Sequence, residues 1–149
     1  MIVLIKPARI RENSSDVFVR IDPGERLVES LATVATRSEF PAAAIVSGVG
    51  MLNGIELGFF DIGLDDYRCK MFDGVFDLSV ILGNIVRRDG IYVPHVHAVF
   101  NNSAHATYSG HVMEATCHIT TEVFLSVTPF ALKRVKIPGC PATRIVGDN

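Results

Sequence analysis

Three histidines in the second half of the chain are spaced for a common metal ion. His95 and His97 lie two residues apart in the apolar stretch YVPHVHAVF, and His111 follows in SGHV. Residues i and i+2 of a β-strand share one face of the sheet and stand about 6.5 Å apart at their Cα atoms. If the stretch is a strand, its two imidazoles can tilt together onto one ion.

The third histidine joins the other two if the segments on either side of Ala104 form an antiparallel hairpin. In the simplest register His97 faces His111, and all three imidazoles leave the same face of the sheet. A bulge at Asn101 or Asn102 would shift the register by one residue and send His111 to the opposite face. The position of the turn therefore decides whether a third ligand is available.

These histidines also have an ordinary interpretation, as hydrogen-bonded residues of a sheet or a subunit interface. A third imidazole at a matching position favours a metal, because three histidine ligands leave one tetrahedral position open for water or a ligand. The pattern predicts zinc on His95, His97 and His111, with occupancy falling below about pH 6 as the imidazoles take up protons. His105, expected in the turn, and His118 are interpreted as ordinary surface or core histidines.

No other constellation of residues specifies a catalytic site. The sequence has no G-x-S-x-G nucleophile elbow and no pair of acids whose spacing assigns acid and base roles. Glu114 and Glu122 flank the histidines, but a surface carboxylate or a salt-bridge partner is the favoured interpretation of each. Catalytic residues are therefore unknown at this stage.

Gly48 and Gly50, in the stretch SGVGMLNG, have the spacing that begins a phosphate-binding glycine loop. Such a loop must lead into a helix whose N-terminus meets the phosphates, whereas the following IELGFFDI alternates like a strand. The glycines therefore predict a bulge or tight turn, and no nucleotide cofactor.

One segment has the pattern of a helix, and most of the remainder is typical of strands. Asp22 can cap a helix, Pro23 suits a first turn, and apolar residues then recur on one face, predicting a helix at about Gly24 to Ser38. Too few crossover segments remain to build a parallel sheet. The sequence predicts an α+β fold with a mostly antiparallel sheet, in a single compact domain over residues 1–149, with an irregular or swapped tail after Pro138.

Composition indicates a globular chain that covers apolar surface with copies of itself. Of 149 residues, 48% are hydrophobic and 20% charged, and the mean hydropathy is +0.32. This predicts a homo-oligomer. The opening MIVLI is stopped by Lys6 and Pro7, and no run approaches the roughly 18 apolar residues of a membrane helix. We expect a cytoplasmic protein with no membrane partner and with reduced cysteines.

The charge balance argues against a nucleic-acid-binding surface spread over the whole molecule. The formal net charge is -2 and the isoelectric point is near 6.2, so DNA binding would need a local basic patch. Arg87 and Arg88 form one candidate, and residues 133–136 (Lys-Arg-Val-Lys) form the other. Both stretches are short and are interpreted as solvated turns.

Five stretches, in order along the chain, resemble the PPC domain, the plants-and-prokaryotes-conserved domain that in plants follows AT-hook DNA-binding segments and in bacteria and archaea stands alone. They are SGVGMLNGIELGFFD, GVFDLSVILGNI, PHVHAVF, SGHV and TEVFLSV. The resemblance implies a compact α+β fold and a homotrimer, with zinc in some members at the positions of His95, His97 and His111. The chain lacks the Arg-Gly-Arg-Pro core of the AT-hook, and Val75 replaces an arginine with which the plant proteins contact partners.

Two functions fit these observations. The resemblance favours a stand-alone homotrimeric binding or regulatory module that carries a three-histidine zinc site, takes a small-molecule or protein partner, and binds DNA directly only weakly or not at all. The alternative is a zinc-dependent enzyme that uses the open fourth metal position to act on a small molecule.

Overall fold

The structure, a computed structural model, describes residues 3–5 and 16–148 and is built mainly of strands. Lys6 and Pro7, which end the apolar opening, lie outside the described residues. The elements are β1 (Val3–Ile5), β2 (Asp16–Ile21), α1 (Leu27–Ser38), β3 (Ala42–Asp61), β4 (Asp66–Arg88), β5 (Ile91–Asn101), β6 (Thr107–Thr128), β7 (Leu132–Ile137) and β8 (Cys140–Gly147). The predicted α+β class is confirmed. The helix of the described region is too short to cross a membrane.

Four long strands pair in a closed ring at the centre of the sheet. The sheet order is β1-β2-β6-β3-β4-β7-β8, and β5 pairs with both β4 and β6. Because β3 also pairs with β4 and with β6, each of these four strands has a neighbour on both sides. The pairings between described strands are antiparallel, as predicted, except for a single parallel pair of residues that joins β7 to β4.

The glycine stretch SGVGMLNG lies inside β3. The register of β3 shifts near Gly50 and again beside Gly54, which has a φ of 55°. The predicted bulge is therefore confirmed, although the segments before and after it form one long bent strand. No helix follows the glycines, in agreement with the rejection of a phosphate loop.

The core lies between the inner faces of the ring and the apolar face of α1. The helix buries Leu27, Leu31, Val34 and Ala35, the face expected from their spacing. On the strands, residues that alternate with the histidines, among them Val96 and Val112, are fully or almost fully buried. This alternation is what sends the histidine side chains outward.

The helix starts at Leu27, three residues later than predicted, because the preceding residues pair with β6. The backbone of Arg26 is extended and forms an isolated bridge with Thr116, and the carbonyl of Glu25 accepts from the Cys117 N–H at 2.8 Å. Asp22 does not cap the helix; its backbone N–H donates to the Glu25 carboxylate at 3.0 Å in a turn that precedes it.

The C-terminal residues form a regular hairpin, so the prediction of an irregular tail was wrong, whereas a swap of this tail between copies of the chain stays a prediction. Strand β8 turns back onto β7 through the two-residue loop Pro138–Gly139, in which Gly139 has a φ of 72°. Proline followed by a glycine with positive φ is typical of a tight type II turn. The Pro138–Gly139 pair could therefore have predicted this hairpin. The structure has Cys69, Cys117 and Cys140 as free thiols, with Cys117 buried and the other two exposed.

Candidate metal centre

The hairpin of β5 and β6 has the register expected from the sequence. His97 pairs with His111, and no bulge interrupts the ladder before the turn. The Asn102 carboxamide holds the turn, since its Oδ1 accepts from the N–H groups of Ala104 and Ala106 at 3.0 Å each. His105 lies in this turn with a φ of 60°, as predicted. The turn therefore fixes which residue of β6 stands beside His97.

The three predicted histidines converge on one face of the ring. One nitrogen from each of His95, His97 and His111 lies within 4.8 Å of the other two. The ring centroids are 4.7 Å apart for His95 and His111, and 5.2 and 5.3 Å apart for the other two pairs. Within residues 3–5 and 16–148, this is the one group of three or more His, Cys, Asp or Glu side chains that could hold a metal.

The donor set fits zinc in the type of its ligand atoms and in their protonation. Burial, together with the positive charge of Arg134, lowers the pKa of His95 from 6.5 to about 4, and burial also lowers the pKa of His111. Both rings are therefore neutral at physiological pH, as a metal ligand must be. Tetrahedral zinc places ligand nitrogens about 3.4 Å apart. Since the histidine nitrogens lie within 4.8 Å of one another, they need to approach by at most about 1.4 Å.

Aromatic and glycine residues that the sequence reasoning missed shape the space around His111. The ring of Tyr67 stacks on His111 with a centroid distance of 5.3 Å and an interplanar angle of 24°. Gly58 of β3 pairs with His111, and a Cβ at Gly58 would lie 2.7 Å from Met113 Sδ and 2.9 Å from Tyr67 Cδ1. Gly58 therefore leaves the room in which Tyr67 and Met113 flank the imidazole.

Gly83 of β4 plays a similar part beside His95. Its φ is 156°, and a Cβ there would overlap the carbonyl oxygen of His95. Close approach of the two backbones thus requires glycine at this position. Gly83 lies well inside β4, where it pairs with Val96 of β5, the residue next to His95.

Arg134 also reaches the histidines, which no sequence signal had indicated. Its Nη2 lies 2.7 Å from His95 Nδ1 and donates to Asn84 Oδ1 at 3.0 Å, while Nη1 donates to Thr143 Oγ1 at 3.4 Å. The interpretation of residues 133–136 as a solvated turn was wrong, because these residues belong to β7. That strand lies beside β4, where Lys133 pairs with Arg87.

The remaining candidates lie outside the cluster. His118 is exposed elsewhere on β6. Glu114 is a salt-bridge partner, one of the two roles expected from the sequence, since it forms an ion pair with Arg26 at 3.4 Å. Its carboxylate also accepts hydrogen bonds from backbone N–H groups at the start of α1. No carboxylate of the described residues belongs to the three-histidine group.

A cavity of about 440 Å³ opens beside the histidines. It borders two of them, His95 and His111, and Arg88 and Arg134 contribute positive charge to its wall. Its apolar lining comes from five side chains: Phe60, Val93, Pro94, Met113 and Ala142. The cavity is therefore large enough for a small organic molecule with both a polar and an apolar part.

Comparison with known proteins identifies a family and a fold. A family model described as the Plants and Prokaryotes Conserved (PCC) domain matches residues 9–129. This is the family, also abbreviated PPC, that the sequence resembles. No curated protein matches the chain. Strands β7 and β8 follow the matched segment.

Three solved structures illustrate the fold. A candidate DNA-binding protein from Bacteroides thetaiotaomicron superposes with a TM-score of 0.89 at 19% identity, over 100% of this chain and 99% of the other. A metal-containing protein from Archaeoglobus fulgidus gives 0.78 at 20% identity, over 88% and 92%. An acetolactate decarboxylase from Bacillus subtilis subspecies spizizenii gives 0.51 at 17% identity, over 77% and 53%. At these identities the likeness establishes the fold alone.

Proposed function

This chain belongs to the Plants and Prokaryotes Conserved (PCC) domain family, and from that premise we propose that it is a homotrimeric binding module whose three histidines hold zinc. The observation that carries the proposal is the convergence of His95, His97 and His111 on one face of the ring. The metal-containing protein from Archaeoglobus fulgidus, which has the same fold, supports it. Bound zinc would order the outer face of the hairpin and offer one open position to a ligand.

Exposed apolar residues on the outer face of the sheet support assembly into a trimer. Val49 is 54% exposed and Phe124 is 50% exposed, and the ladder between β3 and β6 places them on the same face. Phe18 extends this surface, with its ring centroid 5.0 Å from that of Phe124. Leu82, 51% exposed, pairs with His97 on the histidine face. A surface of this kind is typical of a contact between copies of a chain.

The zinc site is tested by elemental analysis of protein purified without chelator. We expect close to one zinc per chain in the wild type and none in the double variant His95→Ala/His97→Ala, because one imidazole cannot hold the ion. Circular dichroism should confirm that the variant is folded.

The controls are His105→Ala and His118→Ala, which remove imidazoles outside the cluster and should leave the zinc content unchanged. A wild type that is purified without zinc and takes up none when it is added would overturn the proposal. The histidines would then be hydrogen-bonding residues of the sheet or of an interface.

A second function, a zinc-dependent enzyme acting on a small molecule, is favoured by the cavity that opens beside His95 and His111. The fold likeness to an acetolactate decarboxylase supplies a substrate to try. Zinc-loaded protein should be incubated with acetolactate and the release of carbon dioxide followed. Release that is lost in His95→Ala/His97→Ala would favour the enzyme over the binding module.

A further inference from the structure

Arg134 and a metal ion cannot both use His95. A guanidinium only donates hydrogen bonds, so the 2.7 Å contact requires His95 Nδ1 to accept. A neutral imidazole has one lone pair, and its proton then sits on Nε2. With Arg134 in place, His95 has no lone pair left for zinc.

Within the part of the chain that the structure describes, the guanidinium of Arg134 has no compensating anion. Among the described residues, no carboxylate lies within ion-pair distance of it, and its Nε is buried without a hydrogen-bond partner. Partial burial, and to a lesser extent the nearby charge of Arg88, lower the pKa of Arg134, although a guanidinium stays protonated. The described residues that line the cavity between these arginines and the histidines include no acidic side chain.

A metal ion in the histidine cluster would add two positive charges beside these arginines. Repulsion between them would be strong in a partly buried site unless an anion enters. A guanidinium released from His95 presents a planar fork that matches a carboxylate. The apolar part of the wall, formed by residues such as Phe60 and Met113, suits a short hydrocarbon body.

We propose that Arg134 is the anchor for a small organic carboxylate: when the histidines take up metal, Arg134 leaves His95 and binds the ligand's carboxylate group in the adjoining cavity. This inference rests on the proposed zinc site. It assigns the recognition of the ligand to β7, which follows the segment that the family model matches.

Two titrations of the same proteins test this anchor, with isobutyrate as the probe. Arg134→Gln should weaken binding of isobutyrate to the zinc-loaded protein by about tenfold or more, because a charge-assisted hydrogen bond is lost. The same change should strengthen zinc binding, because it removes a competitor for the His95 lone pair and a neighbouring positive charge. Arg144→Gln, which removes an exposed arginine from the same hairpin, should alter neither affinity by more than about twofold.

The outcomes separate this inference from the zinc proposal. A wild type that binds no zinc overturns both. Zinc binding with isobutyrate affinity unchanged in Arg134→Gln overturns the anchor alone, as does weaker zinc binding in that variant. Phosphate bound more tightly than isobutyrate would contradict the carboxylate class. If Arg134→Gln fails to fold, nitrogen-15 spectra of the wild type test the proposal instead. In the zinc-free protein His95 must carry its proton on Nε2, and any other tautomer would overturn the proposal.

Discussion

His95 is half-buried beside the positive charge of Arg134, and these conditions set when it can act as a ligand. Burial is the largest influence that lowers its pKa to about 4, followed by the charges of Arg134, His111 and His97. The sequence alone predicted loss of zinc below about pH 6. A lowered pKa extends the neutral form of His95 to more acidic solutions, so zinc should be retained at a lower pH than ordinary imidazoles would allow.

The same shift makes the stability of the zinc-free protein depend on pH. His95 titrates near 6.5 in the unfolded chain and near 4 in the folded one, so between these values the unfolded chain binds more protons. Stability should therefore fall as the pH drops from about 6.5 to about 4, by less than about 1.4 kcal/mol per unit because the ring is half exposed. Above this window His95 contributes no pH dependence.

Thermal unfolding in the presence of a chelator, measured between pH 4 and pH 7, checks this dependence. His95→Gln should flatten the curve, whereas His105→Ala, a change in the exposed turn, should leave its slope unchanged. Equal slopes in wild type and His95→Gln would mean that another group, such as His111, is responsible.

At the scale of elements, α1 is fastened to the sheet by a carboxylate from β6. Glu114 Oε1 accepts from the Val28 N–H at 2.7 Å, and Oε2 accepts from the Glu29 N–H at 3.2 Å. These are backbone donors of the first turn that have no partner within the helix. Glu114, which is distant in sequence, thus caps the helix in place of the residue just before it.

Glu114→Ala should lower the free energy of unfolding by about 1 to 2 kcal/mol, because it removes this cap. Glu114→Gln keeps one acceptor oxygen and should cost less. Denaturant unfolding measures both, and zinc content should stay as in the wild type because Glu114 is not one of the metal candidates. A smaller loss of unfolding free energy in Glu114→Ala than in Glu114→Gln would contradict the capping role. Glu122→Ala, on the same strand, is the control.

Local pattern was sufficient to predict the three-histidine cluster, and insufficient to predict Arg134. The pairing of His97 with His111 follows from strand periodicity and one short turn, and residues close together in the sequence determine both. Arg134 reaches His95 because β7 aligns with β4 through the pairing of Lys133 with Arg87, a contact between distant segments. No spacing in the sequence encodes that meeting, and the start of α1 was missed for the same reason, since it depends on pairing with β6.

For the whole molecule, the basic side chains that could attract DNA are few, and some already have partners within the chain. The pairing of β4 with β7 brings the two basic stretches together, but Lys133 forms an ion pair with Asp148 at 2.8 Å. Arg87 donates to the Tyr92 hydroxyl at 2.9 Å, and Arg134 faces His95. With a net charge of -2, the chain has no overall excess of positive charge to bind phosphates.

We therefore expect no sub-micromolar binding of duplex DNA at physiological salt. Gel-shift titrations at several salt concentrations measure this directly. Tight binding with a steep salt dependence, lost in Arg88→Ala/Lys136→Ala, would instead identify the joined basic stretches as a DNA-binding surface.

The assembly prediction also belongs to the whole molecule. Light scattering after size-exclusion chromatography should give about three times the chain mass of 16.2 kDa, because apolar strand faces are covered in a trimer. Phe124→Lys should reduce the measured mass if its face is the contact, while Ile62→Lys, in an 84% exposed position between β3 and β4, should not. A wild-type monomer at micromolar concentration would be contrary to the proposal.

The hairpin of β7 and β8 contacts β4 through the pairing of Lys133 with Arg87 and through a hydrogen bond from Arg134 to Asn84, and it contacts the histidines through Arg134. If zinc takes the lone pair that Arg134 now uses, the ion and the docked hairpin compete, and their free energies become linked. Linkage is reciprocal: whatever holds the hairpin down must weaken the affinity for zinc by the same factor by which zinc loosens the hairpin. A partner that holds the hairpin of β7 and β8 against β4 would therefore weaken zinc binding without touching a histidine.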